Sequence, residues 1–379
     1  MSLPPFSLVA PREIVFGRGR ATESAPRIAA FGRSVFLVHG QNADRAAWLV
    51  EALQAEGADV ASFACAGEPD MAVLDAAAAA ARGASVVVGL GGGAAMDLAK
   101  AAAALATAAG PALRYLEVVG EGRPLEADPL PFVALPTTAG TGAEATKNAV
   151  IGVPAERRKV SLRDPRMLAD LALVDPALTD GCPWGVTLAS GLDAITQVIE
   201  PYLSSRANPL TDALCRQAIP MGLAALRRLA EGDNADARDT MAFVSLCGGL
   251  ALANAGLGVV HGLAGVLGGV TGAAHGAICG RLLPFGIDAN AAVAGGETAR
   301  RIEEVRHWIG TALDVAPGEA TATLAAWSAD RGLPGLAAMG LGKDQIAPFA
   351  EASARASSMK ANPVPLSTAD LERLLKNAL

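Results

Sequence analysis

The alternation of short apolar runs with helical stretches in the first half of the chain restricts its fold more than any other feature. Residues 34–39, 59–63, 84–90 and 131–136 are short runs rich in β-branched and other apolar residues. Between them, residues 43–56 and 71–82 space their apolar residues as helices do, and Gly91-Gly92-Gly93 opens a helix extending to Ala108. Parallel strands need a crossover between them, so the alternation predicts a parallel, Rossmann-like sheet covered by helices. Residues 158–162 and 171–174 add candidate strands. Past Gly181-Cys182-Pro183 the pattern changes: 186–203, 209–231, 237–266, 298–313, 318–331, 343–356 and 368–379 all read as helices. The expected architecture is an α/β N-terminal domain, residues 1–181, followed by an all-helical C-terminal domain, residues 182–379. A chain of 379 residues exceeds the size at which one core stops growing, which also argues for two domains. The alanine tracts at 75–82 and 101–109 read as packed helices rather than linkers, because Ala is the strongest helix former.

Composition narrows the partners. Hydrophobic residues make up 51% of the chain against 18% charged, and the net charge is -7 with no block of Lys and Arg. Such a surface suits neither nucleic acid nor an anionic membrane, so small molecules are the expected partners. No run of about 18 apolar residues occurs, and the N-terminal MSLPPFSLVAPREIVFG has no basic segment leading into an apolar one. A soluble, cytoplasmic protein is expected. The five cysteines are odd in number and form no CxxC pair, which reads as reduced thiols acting as small buried hydrophobes.

Three stretches carry chemistry. Residues 254–276, NAGLGVVHGLAGVLGGVTGAAHG, hold two of the four histidines, His261 and His275, fourteen residues apart. Gly268-Gly269 and Gly272 between them are expected to break the helix and let the chain turn back. Upstream, Asp193 and Gln197 stand four apart on a helix and so share a face. Asp193, Gln197, His261 and His275 are candidates for one divalent metal, because oxygen and imidazole donors suit Zn²⁺ or Fe²⁺. The second stretch, GGGAAMDLAK at 91–100, follows a buried strand and begins a helix, where backbone N–H groups bind phosphate and glycines let it approach. Asp97 and Lys100 lie on its first turns. The third, PTTAGTGAEAT at 136–146, is a hydroxyl-rich loop at the carboxyl end of a strand, the edge where open α/β sheets bind ligands.

GGGAAMDLAK, PTTAGTGAEAT, LVDP at 173–176, GLDAITQVIEPY, NAGLGVVHGLAGVLGG and AHG, in this order and spacing, resemble the iron-containing (group III) alcohol dehydrogenase family. The match runs from VFGRG at 15–19 to Asn362-Pro363. The resemblance implies the dehydroquinate-synthase-like fold, a dinucleotide-binding α/β domain followed by a helical metal- and substrate-binding domain. It implies oxidation or reduction of alcohols and carbonyls with NAD or NADP and a divalent metal, Fe or Zn, in a homodimer. Gly92, Gly93, Ala94 and Asp97 would line the cofactor pyrophosphate and ribose, and Thr137, Thr138, Thr146 and Lys159 match further cofactor-contacting positions. Asp193, Gln197, His261 and His275 match the metal ligands, with His261 and His275 at the catalytic centre.

Two residues depart from the family pattern. Gln197 stands where His is usual, and Gly265 stands where a second His, four after the first, is usual. An amide oxygen is a poorer ligand than imidazole, so metal affinity should fall and metal preference should shift. Asp193, His261 and His275 remain, and the related glycerol dehydrogenases use a similar set. Gly265 removes a proton-relay imidazole and enlarges the pocket. The expected chemistry is hydride transfer between nicotinamide and a substrate whose oxygen the metal polarises. The alternatives are a maleylacetate reductase, with Lys147, Asn148 and Lys159 meeting carboxylates, and a non-catalytic dinucleotide-binding protein. After residues 34–39 the chain reads Gly40-Gln41-Asn42, with no acid to repel a 2′-phosphate, and Arg45 follows. NADPH is therefore expected to bind at least as tightly as NADH.

Overall fold

The computed structural model describes residues 5–156 and 158–379. The first four residues of the N-terminal segment considered above lie outside them. The chain divides into two compact units, one built mainly from Val9–Thr138 and Gly142–Asp180, the other mainly from Gly181–Leu379 together with Ala139–Thr141.

The first unit holds β1 (Ile14–Phe16), α1 (Ser24–Ala29), β2 (Ser34–Gly40), α2 (Ala47–Ala55), β3 (Asp59–Cys65), α3 (Met71–Ala80), β4 (Val86–Gly91), α4 (Gly93–Leu105), β5 (Phe132–Pro136), β6 (Asn148–Val153), β7 (Arg158–Arg163) and β8 (Leu171–Val174). Six strands form one sheet in the order β1-β8-β5-β4-β2-β3, and every pairing in it is parallel. Helices cover both faces, so the central strands are continuous apolar runs: VVVGLG in β4 and FVALP in β5 are buried throughout. Within β2 the side chains alternate between two cores, Val35 and Leu37 packing with Leu49 and Leu53 of α2, Phe36 and Val38 with Leu74 of α3 and Met96 of α4. This is the expected parallel α/β architecture.

Local details differ from expectation. The strand at Arg158–Arg163 pairs antiparallel with β6 in a separate two-stranded hairpin instead of joining the main sheet. β6 was not anticipated, although Ala149, Ile151 and Val153 alternate with more exposed positions. α4 stops at Leu105, short of Ala108. Asp175 of LVDP accepts the backbone N–H groups of Gly19 (2.9 Å), Ala21 (2.7 Å) and Ala177 (2.9 Å), tying the VFGRG turn to the end of β8.

The second unit is helical: α5 (Trp184–Leu203), α6 (Pro209–Leu229), α7 (Ala235–Ala255), α8 (Val259–Thr271), α9 (His275–Ala291), α10 (Gly296–Leu313), α11 (Ala320–Asp330), α12 (Ile346–Ala354) and α13 (Thr368–Ala378). The helix expected over 237–266 is in fact two, α7 and α8, bent by 101°. Gly256, at φ +73° and ψ -174°, takes a positive-φ conformation that suits glycine and ends α7. α8 then runs through Gly268-Gly269 and ends only at Gly272, whose φ is +68°. Among the described residues no single helix is long and apolar enough to cross a membrane.

Candidate functional site

Four donor-bearing side chains meet inside the helical unit. Atoms of Asp193 on α5, His261 on α8, and His275 and Cys279 on α9 all lie within 4.8 Å of one another. Glycines make the convergence possible. A Cβ on Gly276 would sit 2.5 Å from the Ala189 carbonyl oxygen and 3.1 Å from Asp193 Cβ, and one on Gly280 would sit 2.7 Å from Leu192 Cβ. Two bare backbone positions four apart therefore seat α9 on α5, carrying His275 and Cys279 to Asp193. The bend at Gly256 starts a new helix at Val259 and sets His261 in its first turn.

Glu200 holds that turn. Its Oε1 accepts the Val260 N–H (2.7 Å), Asn362 Oδ1 accepts the Val259 N–H (2.9 Å), and Gly258 leaves room for both side chains, since a Cβ there would lie 2.7 Å from Asn362 Oδ1 and 3.0 Å from Glu200 Oε1. Two N–H groups that α8 cannot satisfy internally are thus capped. Glu200 Oε2 also lies 2.7 Å from His261 Nδ1. A carboxylate only accepts, so Nδ1 carries the proton and Nε2 is turned toward Asp193.

Asp193 Oδ1 and His261 Nε2 face each other at 3.3 Å. Both are buried, and neither finds a hydrogen-bond partner. Two acceptors in that position repel unless a proton or a cation lies between them. Burial draws the His261 imidazole down, but Cys279, Asp193 and Glu200 outweigh it and raise its pKa well above the ordinary value. His275 is likewise pulled down by burial but lifted, chiefly by Cys279 and Asp193, to about 9. Burial pushes Asp193 up, yet its contact with His261 and the charge of His275 bring it below the usual carboxylate range. An anionic oxygen, two imidazoles and a thiol gathered around orphaned buried atoms match a divalent cation.

Gln197 is buried at 2% exposure, and its amide nitrogen donates to the Gly140 carbonyl at 2.8 Å. Gly265 on α8 stands in open space: a Cβ there meets nothing within 4 Å. Sequence reasoning missed Glu200 and treated Cys279 as filler. The signal was helical arithmetic, since Glu200 is seven residues after Asp193 and Cys279 four after His275.

In the α/β unit, after β3 the chain returns to the opposite side of β2 to form β4, so the strand order reverses between these two strands. Open α/β sheets bind ligands at such a point, beyond the carboxyl ends of the strands. There Gly40 ends β2 and Gly91 ends β4, and a Cβ on Gly91 would lie 2.6 Å from Ala95 Cβ and 3.4 Å from Gly40 N. α4 starts at Gly93 with no side-chain cap on its first N–H groups. Gly92, Gly93, Ala94 and Asp97 are each partly exposed. Thr137 donates its N–H to the Gly91 carbonyl (2.9 Å), and Thr138 side-chain atoms lie 3.3 Å from where a Cβ on Gly92 would stand. The structure therefore brings these two glycine- and threonine-bearing loops together.

Four of the anticipated residues have internal partners. Thr146 Oγ1 accepts the ammonium of Lys100 (2.9 Å), which also donates to the carbonyls of Ala143 (2.6 Å) and Asn148 (2.9 Å). Lys100 is 1% exposed, and burial pulls its pKa down to about 8. Lys159 pairs with Glu68. Asp97 Oδ2 accepts the Val150 N–H at 3.1 Å.

Comparison with known proteins agrees with this architecture. The model of the iron-containing alcohol dehydrogenases matches residues 11–176, and that of the C-terminal domain of the Fe-containing alcohol dehydrogenase family matches residues 187–379. NAD-dependent methanol dehydrogenase of Bacillus methanolicus is 33% identical over 77% of this chain and 77% of its own. Long-chain-alcohol dehydrogenase 1 of Geobacillus thermodenitrificans is 44% identical over 53% of this chain, and the match spans 50% of that protein. A crystal structure of 1,3-propanediol oxidoreductase superposes with a TM-score of 0.89 at 29% identity, covering 99% of this chain and 100% of the other. The chain belongs to the iron-containing alcohol dehydrogenase family, and it is an oxidoreductase of alcohols and carbonyl compounds. That family works with NAD(P) and a metal.

Proposed function

We propose that Asp193, His261 and His275 hold a divalent cation at which a small alcohol is oxidised, or an aldehyde or ketone reduced, with NAD(P). The observation that carries this reading is the buried 3.3 Å approach of Asp193 Oδ1 to His261 Nε2 without a hydrogen-bond partner for either. When bound, the cation supplies Lewis acidity toward the substrate oxygen, and the nicotinamide supplies or accepts hydride.

This chain's own residues perform the remaining tasks. Glu200 keeps the His261 proton on Nδ1 and so leaves Nε2 as a donor atom. Gly91, Gly92 and Gly93 would let a pyrophosphate approach the start of α4, with Thr137 and Thr138 on the neighbouring loop offering hydroxyls. Gly265, one helical turn after His261 on α8, has nothing within 4 Å of where a Cβ would stand, so this position supplies no proton-relay imidazole and would leave room for substrate. Location and oligomeric state follow the resemblance, a cytoplasmic homodimer, to be read out by fractionation and sedimentation.

Protein purified without chelator and analysed for metals tests the reading, followed by NADH and NADPH oxidation with short aldehydes after Zn²⁺ or Fe²⁺ is restored. His261→Ala and His275→Ala are expected to lose metal and turnover together. Full turnover in either variant at saturating cofactor would remove the metal from the chemistry.

A further inference from the structure

The donor count around Asp193 leaves one position open, and two side chains compete for it. Gln197 is the residue that the family resemblance points to, one helical turn beyond Asp193. Its amide nitrogen donates to the Gly140 carbonyl at 2.8 Å, which fixes the orientation of the group, and its oxygen is a weaker metal donor than a thiolate. Cys279 has no such tie outside the cluster. Its Sγ lies 3.5 Å from His275 Nε2 and belongs to the group of donor atoms within 4.8 Å of one another.

Two of the separations have the size of the edges of a tetrahedron around zinc. With bonds of about 2.3 Å to sulfur and about 2.0 Å to nitrogen or oxygen, tetrahedral edges come to about 3.5 Å for S–N and about 3.3 Å for N–O. Cys279 Sγ to His275 Nε2 is 3.5 Å, and His261 Nε2 to Asp193 Oδ1 is 3.3 Å. The second pair consists of buried atoms with no hydrogen-bond partner, and they lie where the four donors meet.

We propose that Cys279 is a metal ligand of this centre, the fourth protein donor beside Asp193, His261 and His275 in place of Gln197, and that it biases the site toward zinc over iron. The inference rests on the metal reading above and goes beyond it by exchanging an imidazole on α5 for a thiolate on α9. Coordination replaces the S–H bond of Cys279 with a metal–sulfur bond, the proton passes to solvent, and no oxidation state changes. A soft thiolate favours zinc among the candidate metals. Zinc in catalytic sites also accepts a fifth donor, so four protein ligands do not close the centre to substrate.

Cobalt(II) provides the test, because a cobalt–thiolate bond gives a near-ultraviolet charge-transfer band that nitrogen and oxygen donors do not. Full-length protein stripped with chelator and refilled with Co²⁺ should bind one ion per chain and show the band. Gln197→Ala should keep it. Cys279→Ser should lose it, and zinc affinity in competition with a chromophoric chelator should fall by about tenfold or more. X-ray absorption at the zinc edge of the unmodified protein needs no variant, and should show one sulfur neighbour at about 2.3 Å. One cobalt per chain without the band, or only nitrogen and oxygen neighbours around zinc, overturns the thiolate ligand while leaving the metal centre intact. A band that persists in Cys279→Ser overturns it too. Failure to bind cobalt at all, or binding undiminished in both His261→Ala and His275→Ala, instead overturns the function proposed above.

Discussion

Replacing Glu200 with Gln isolates the role of a single proton. In the native protein both carboxylate oxygens accept, Oε1 from the Val260 N–H at 2.7 Å and Oε2 from His261 Nδ1 at 2.7 Å. A glutamine in the same place has one acceptor and one donor end. If its oxygen stays on Val260, its NH₂ faces His261 Nδ1 and drives the proton to Nε2, toward the centre of the metal site. If the amide turns over, His261 keeps its tautomer but the Val260 N–H meets a donor. The second arrangement leaves one buried mismatch worth about 1–3 kcal/mol, and the first puts a proton on the nitrogen that would face the metal. Loss of an orienting carboxylate behind a metal-bound histidine typically costs 10–100-fold in affinity, about 1.4–2.7 kcal/mol, so the two estimates agree in size. Glu200→Gln is therefore expected to weaken zinc binding by about 10–100-fold. The assay is competition for zinc against a chromophoric chelator at constant neutral pH, with Tm of the metal-free forms measured alongside. Zinc affinity within about twofold of the native protein would refute the tautomer argument. A fall in Tm with no change in affinity would reduce Glu200 to a helix cap.

Further outcomes follow from the same geometry. Metal-free His275 titrates at about 9 instead of 6.5, a raised pKa whose stabilisation is complete below 6.5 and lost as pH rises through about 9; Tm of the metal-free protein should fall across that window and that of the zinc-loaded protein should not. Zinc affinity should rise over the same range, because zinc displaces that proton, and a flat affinity profile would show that His275 is no ligand. Gln197→His should tighten zinc binding in a Cys279→Ser background by supplying an imidazole on the Asp193 face, and an unchanged affinity would mean that position 197 does not reach the centre. Gly265→Ala should stabilise α8 by about 0.5–1 kcal/mol, since its Cβ meets nothing within 4 Å, and Gly265→Phe should raise KM for bulky alcohols with little loss of Tm. Paired fluorescence titrations should find NADPH binding at least as tight as NADH; a preference for NADH undiminished in Arg45→Ala would show that another group excludes the 2′-phosphate.

The fold was legible where a single period ran long enough. β4 and β5 are covered on both faces and show as unbroken apolar runs, and glycine then marks the start of α4. The strand β1 has three residues, too few for any period to register. The break between α7 and α8 escaped because apolar spacing continues across it; only the positive φ of Gly256, invisible in a residue string already rich in glycine, bends the chain by 101°. The Arg45 guanidinium, expected near a 2′-phosphate, donates to the Leu178 carbonyl at 3.2 Å.

The site was half legible, and the missing half shares one cause. Asp193 and Gln197 were paired because four residues make one helical turn, yet Glu200 completes the next turn of the same face and Cys279 repeats the step from His275. Residue type hid both: a glutamate deep in an apolar helix and a cysteine among small residues are commonly a tolerated charge and a filler. Thr146 shows the converse case. Its hydroxyl had the chemistry of a cofactor contact, but its nearest need was the ammonium of Lys100, buried with three oxygen acceptors around it. A buried charge takes the polar groups it requires before any ligand can. The same priority explains Glu200, whose carboxylate first caps α8 and, because that fixes its position, becomes able to set the proton on His261. The metal centre is in this sense downstream of helix capping: the turn that needed two acceptors at its start acquired a carboxylate, and the carboxylate turned a histidine into a donor atom aimed at Asp193.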